Sequence, residues 1–159
     1  MSTQRERVIA RLNSVRADLD EVLRHLNPSL MPWAPSAGMR TVAGQLVEIA
    51  GSEYQLLMRV AHNEVITDGD IRDEIGTYED FETLRKYLDD VRRQTLEYIG
   101  SLSDEALEEE VSIPGWHESI GLPSLPRIEF FIGVASHEAY HVGQLVSYLW
   151  ARGDNPYEW

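Results

Sequence analysis

Four stretches of the chain repeat apolar residues at steps of three and four, the period of a helix buried along one side. In the first, Val8, Leu12, Val15, Leu19, Val22 and Leu26 form a single stripe. Thr3 and Glu6 stand at its head with the spacing of a capping box, and Asn27-Pro28 stops it. The second starts after Thr41 as N-cap and runs to about His62, with Val42, Leu46, Ile49, Leu56, Leu57 and Val60 as its apolar positions. The third, headed by Thr77 and Asp80 as a capping pair, carries Phe81, Leu84, Leu88, Val91 and Tyr98, and Ser103 caps a short extra turn through Glu109. The fourth begins near Ser124 with Pro126 in its first turn. It ends at Arg152-Gly153, a basic last turn followed by a glycine, with Pro156 beyond.

The intervening segments lack this period. Ser29 to Arg40 is an ordered loop anchored by Trp33. Asn63 to Gly76 reads as an acidic loop with a turn at Asp68-Gly69. Its Asp68, Asp70, Asp73 and Glu74 do not match the twelve-residue calcium loop with its closing Glu. Val111 to Pro126 holds three prolines and two glycines around Trp116 and His117, and is long enough to cross from one end of a bundle to the other. No alternating run of strand length occurs. The expectation is an all-α four-helix bundle with one long crossover connection, a single domain over residues 1–159.

Composition narrows the function. With 27 acidic against 14 basic residues the formal charge is −13, which disfavours phosphate backbones and anionic membranes as partners. No uninterrupted apolar run approaches a membrane span. The opening Met-Ser-Thr-Gln-Arg-Glu-Arg has no signal-peptide core, so a cytoplasmic location is expected. Cysteine is absent, which removes disulfides, thiolate ligands and a cysteine nucleophile.

The chemistry concentrates in the fourth stretch. His137, His141, Gln144 and Tyr148 fall at helical offsets of 0, 4, 7 and 11, so two imidazoles project from one face a turn apart. That face is otherwise flanked by apolar residues. The pair is either hydrogen-bonded within the core or holds a metal ion, and a metal needs a third ligand from another helix. Glu138 points about 100° away from His137 and is not that ligand. Glu48 is the best-placed candidate. It heads a second polar stripe, Glu48, Ser52, Gln55 and Arg59, which is either a solvated face or an inward one. Of the other histidines, His25 reads as a partner of a helix C-terminus, and His62 and His117 as surface residues.

The run His137-Glu138-Ala139-Tyr140-His141-Val142-Gly143-Gln144, with Leu145, Tyr148, Leu149 and Arg152-Gly153, resembles the last-helix signature of the DinB-like superfamily of small four-helix metalloproteins. Thr41 through Glu53 is similar to that family's second-helix segment, and Trp33-Ala34-Pro35 to the loop before it. The resemblance covers nearly the whole chain. It implies a divalent metal, zinc, nickel or iron, held by one histidine of the second helix and two of the fourth. His137 and His141 match the latter pair, while Glu48 stands at the second-helix position. That departs from three histidines, yet His2Glu is a competent zinc set and a two-His-one-carboxylate set suits iron. It further implies a transferase or isomerase acting on a small-molecule substrate with a low-molecular-weight thiol cosubstrate, and a homodimer. From the spacing of the two polar stripes, Ser52, Gln55, Arg59, Gln144 and Tyr148 are the expected pocket residues if those stripes face one another. The alternatives are a metal-dependent hydrolase with a nearby carboxylate such as Glu53 as base, and a non-catalytic dimeric stress or sensor protein with a structural or vestigial metal site.

Overall fold

A computed structural model describes residues 2–75 and 80–159, with Ser119 described by its backbone alone. The elements are α1 (Gln4–His25), α2 (Val42–His62), α3 (Asp68–Ile75), α4 (Phe81–Ser101), α5 (Asp104–Leu107), β1 (Glu110–Val111), β2 (Leu125–Pro126) and α6 (Arg127–Ala151). The four apolar stripes thus become α1, α2, α4 and α6, an all-helical bundle apart from one two-residue antiparallel pairing.

Local chemistry sets the helix ends. Thr3 accepts the Glu6 N–H while the Glu6 carboxylate accepts the Thr3 N–H, closing the capping box. Thr41 caps α2 on the Gly44 N–H, and Asp80 caps α4 on the Thr83 N–H. Thr77, paired with Asp80 in the sequence reading, lies outside the described residues. At Asn63 α2 ends in the left-handed conformation, φ +55°. Gly153, φ +89°, ends α6: its N–H and that of Asp154 return to the carbonyls of Trp150 and Leu149, which only a residue at ease with positive φ permits.

Two apolar clusters form the core. One joins Val8 and Leu12 of α1 with Leu56 of α2, Ile99 of α4 and Phe131 of α6. The other joins Leu19 and Val22 with Leu46, Ile49, Leu84, Leu88, Leu145 and Leu149. The early residues of α1 and α6 meet the late residues of α2 and α4, so α1 and α6 run one way and α2 and α4 the other. Each fully buried Leu contributes about 1.5–3 kcal/mol by leaving water.

This order relocates the crossover. It is the α2–α4 connection that passes from one end of the bundle to the other, not the 111–126 segment. The latter turns back at a single end, where β1 pairs with β2 and the Arg127 N–H bonds the Glu109 carbonyl. Because Leu125 and Pro126 are held extended in that pairing, α6 starts at Arg127 rather than near Ser124. The acidic loop expected over 63–76 is likewise corrected, since Asp68-Gly69 opens α3. Thr67 and Asp70 bond reciprocally at its head, and Ile71 and Ile75 are buried in the core. A Cβ on Gly51 would meet the Ile71 Cδ1 at 3.0 Å, so glycine lets α3 sit close on α2.

Between the two clusters lies a buried polar layer with one residue from each long helix: Arg16, Glu53, Arg92 and Glu138. The Arg92 guanidinium donates to both Glu53 oxygens, at 2.8 and 3.0 Å, to Glu138, and to the Leu12 carbonyl at 2.6 Å. Arg16 donates to Glu138 at 2.7 Å and to the Leu88 carbonyl at 2.9 Å. Burial alone would depress the Arg92 pKa; the bonds and charge of Glu53, then of Glu138, reverse that and hold it above its ordinary value. No helix among the described residues is long and apolar enough to cross a membrane.

Candidate metal centre

The site is built where the middle of α6 crosses the first turns of α2. His137 and His141, one turn apart, bring their Nε2 atoms to 3.1 Å. The Nδ1 of His141 lies against the amide oxygens of Gln45 and Gln144, the latter at 3.1 Å. Amide oxygens only accept, so Nδ1 carries the proton and the Nε2 lone pair faces the His137 Nε2. The orientation of Gln45 is itself fixed. Its amide nitrogen donates to the Tyr148 hydroxyl at 3.1 Å, and that hydroxyl donates to the Arg40 carbonyl at 2.9 Å. This relay holds the imidazole in one tautomer and one orientation, the usual second layer behind a metal-binding histidine.

Glu48 reaches the same point from α2. One of its carboxylate oxygens and one nitrogen of each imidazole all lie within 4.8 Å of one another. Two nitrogens at zinc-ligand distance on a tetrahedral ion stand about 3.4 Å apart, close to the separation of the Nε2 pair. Both imidazole pKa values lie below the ordinary 6.5. Desolvation is the main cause for each, joined at His141 by the charge of His137, while Glu48 pulls both upward. Neutral rings converging beside a carboxylate make a donor set suited to a divalent cation.

Glu48 faces two ways. Its side chain is 37% exposed, and Oε2 pairs with the Arg40 guanidinium at 3.1 Å. Arg40 reaches it by laying its stem over Gly44, where a Cβ would sit 2.7 Å from the Arg40 Cγ. From Glu48 a cleft of about 480 Å³ runs along α2 beneath α3, lined also by Arg40, Ser52, Gln55, Asp68 and Arg72.

The expected pocket residues therefore divide. Ser52 and Gln55 line the cleft, Gln55 donating to Asp68 at 3.0 Å. Arg59 does not: it borders a neighbouring groove of about 360 Å³ with Trp116 and Val65, and donates to the Asn63 carbonyl at 3.3 Å. Gln144 supports His141, and Tyr148 is buried with its hydroxyl engaged, so neither opens on the cleft. Glu53, named as a hydrolytic base, is locked between Arg92 and Arg16. Glu138 is buried in the same layer, paired with Arg16 and Arg92. His117 is not a surface residue: its Nδ1 donates to the Leu122 carbonyl at 2.7 Å and its Nε2 accepts from Ser112, pinning the 111–126 loop. His25 stacks on Trp159, and His62 is exposed.

Sequence reasoning missed Gln45, Arg40 and Arg72. Gln45 precedes Glu48 by one helical step on the same side of α2, which was a usable signal. Arg40 lies outside the helix and Arg72 in the unrecognised α3, so no period marked either.

A crystal structure of a conserved protein from Enterococcus faecalis is similar in fold, with a TM-score of 0.73 over 96% of this chain and 99% of that one, at 14% sequence identity. No curated protein matches the chain. The sequence pattern of the DinB superfamily matches residues 4–145, from the start of α1 to Leu145 beyond both imidazoles. The chain belongs to the DinB superfamily.

Proposed function

We propose that this chain is a divalent-metal enzyme, a transferase or isomerase that acts on a small molecule with a low-molecular-weight thiol as cosubstrate. The observation that carries the reading is the convergence of Glu48, His137 and His141 within 4.8 Å at the head of a cleft. These three side chains would hold the ion, whether zinc, nickel or iron. An ion with an open position supplies a Lewis acid that lowers the pKa of a thiol or of water. Gln45 and Gln144 hold the proton on the His141 Nδ1, which keeps Nε2 turned toward Glu48 and His137. Arg40 steadies the Glu48 carboxylate from the solvent side. The thiol comes from outside, because the chain has no cysteine.

A hydrolase would need a base other than Glu53, which is tied to two arginines inside the bundle. A homodimer belongs to the proposal. The exposed side of α6 carries Gly133, Ser136, Tyr140, Gly143, Ser147 and Trp150, with no charge from Gly133 onward among the described residues. On a chain of charge −13 that face lets two copies meet without like-charge repulsion.

The test pairs elemental analysis of the purified chain with two substrate panels, thiol-plus-electrophile pairs and esters or amides without thiol. One equivalent of metal and thiol-dependent turnover are expected, both lost in His137→Ala. Thiol-independent ester cleavage would move the chain to the hydrolases. A metal-free protein, inert in both panels, would leave the non-catalytic reading.

A further inference from the structure

Two arginines and two carboxylates, Glu48 and Asp68, line the cleft under α3. Arg40 and Arg72 both line it, in a chain with only 14 basic residues against 27 acidic ones. Arg40 is paired with Glu48, whereas Arg72 has no ion pair or hydrogen bond among the described residues. Asp68, the carboxylate one turn before it, is engaged by Gln55. The wall that carries Arg72 is fixed rather than loose. Ile71 seats on Gly51, Gln55 bonds Asp68, and Thr67 with Asp70 closes the head of α3.

We infer that this cleft is a subsite for a small molecule bearing carboxylates, with Arg72 as the principal receptor and Arg40 as a second cation at the Glu48 end. A guanidinium recognises a carboxylate through two parallel N–H donors, and a partly enclosed wall strengthens the attraction relative to open surface. A volume of about 480 Å³ suits a metabolite of peptide size. The inference rests on the proposed function, in that the Glu48 end is where the thiol reacts. It then sharpens the cosubstrate to a thiol with pendant carboxylates, as against an uncharged sugar-linked thiol.

The experiment is isothermal titration calorimetry of the chain stripped of metal by chelator and dialysed, at low ionic strength. Succinate is the probe and succinamide the neutral control. Saturable succinate binding is expected, weakened at least five-fold in Arg72→Ala and partly restored in Arg72→Lys, with no succinamide binding. Arg11→Ala, an exposed arginine on α1 outside the cleft, should bind succinate like the parent chain. Absent saturation, or equal weakening in Arg11→Ala, overturns the subsite. A zinc titration of the same samples separates the two ideas: zinc without succinate sinks the subsite alone, and succinate without zinc sinks the metal centre alone.

Discussion

The bundle holds two groups of polar side chains at depth, and they differ in how their bonding capacity is used. In the Arg16–Glu53–Arg92–Glu138 layer two positive and two negative charges cancel, and the arginines also bond the Leu12 and Leu88 carbonyls. The layer divides the core and takes one residue from every long helix, so it fixes their relative heights. In the Glu48–His137–His141 group the lone pairs converge, the tutor groups Gln45 and Gln144 stand behind, and one side opens on a cleft. A polar cluster whose charges cancel within it is architecture; one whose lone pairs converge on a common point at the head of a cleft is a candidate site.

Breaking the first group should have the largest effect. Glu138→Gln leaves two buried guanidiniums short of a counter-charge, at a cost of about 3–5 kcal/mol. For a chain of this size that lowers Tm by about 6–20 °C, readable by circular dichroism. Replacing all four residues with apolar ones of similar volume should recover most of that loss. If Glu138→Gln melts like the parent, the layer does not hold the helices. Next comes His137→Ala, which should reduce zinc affinity more than 100-fold, beyond the roughly 10–100-fold typical of a lost supporting residue. The metal-free Tm should move little by comparison, because the ring is only half-buried and not part of the charge layer. Equal zinc affinity in parent and variant would remove the imidazole from the site. Gln45→Leu keeps all three donors but leaves the His141 Nδ1–H only the longer bond to Gln144, so a loss of zinc affinity of about 10-fold, at the low end of the roughly 10–100-fold range, is expected. Competition with a chelating dye measures both.

The contrast also explains what the sequence disclosed. The long helices were legible because their stripes and caps are local: Thr3 with Glu6, Thr41, Asp80 and Gly153 each act within a turn. The His137–His141 pair was legible for the same reason, and Glu48 as the carboxylate heading a polar stripe on a second helix, which the family resemblance reinforced. The charge layer was not, because Arg16, Glu53, Arg92 and Glu138 look like ordinary polar positions until four helices meet. The crossover was misplaced because Pro and Gly in 111–126 advertised irregularity, while α3 hid its two buried isoleucines, Ile71 and Ile75, among acidic residues. Tyr148 was assigned to the pocket on spacing alone; tertiary packing turned its hydroxyl to Gln45 and Arg40 instead.

The smallest expected effect separates the two groups by pH. In the metal-free chain His137 and His141 have pKa values depressed below 6.5, whereas unfolded imidazoles titrate near 6.5. As pH falls past that value the unfolded chain binds protons that the folded chain resists. Stability is therefore present above about pH 6.5 and lost on descent toward the depressed folded values. The double variant His137→Gln/His141→Gln has neither group, so its stability should change less than the parent's over that descent. His25, His62 and His117 are common to both chains and cancel in the difference. Urea unfolding midpoints, measured at closely spaced pH values on chelator-treated protein, supply the two slopes. Parallel slopes would mean that the rings are not held neutral, and would remove the electrostatic distinction between the imidazole pair and a layer that contains its own counter-charges.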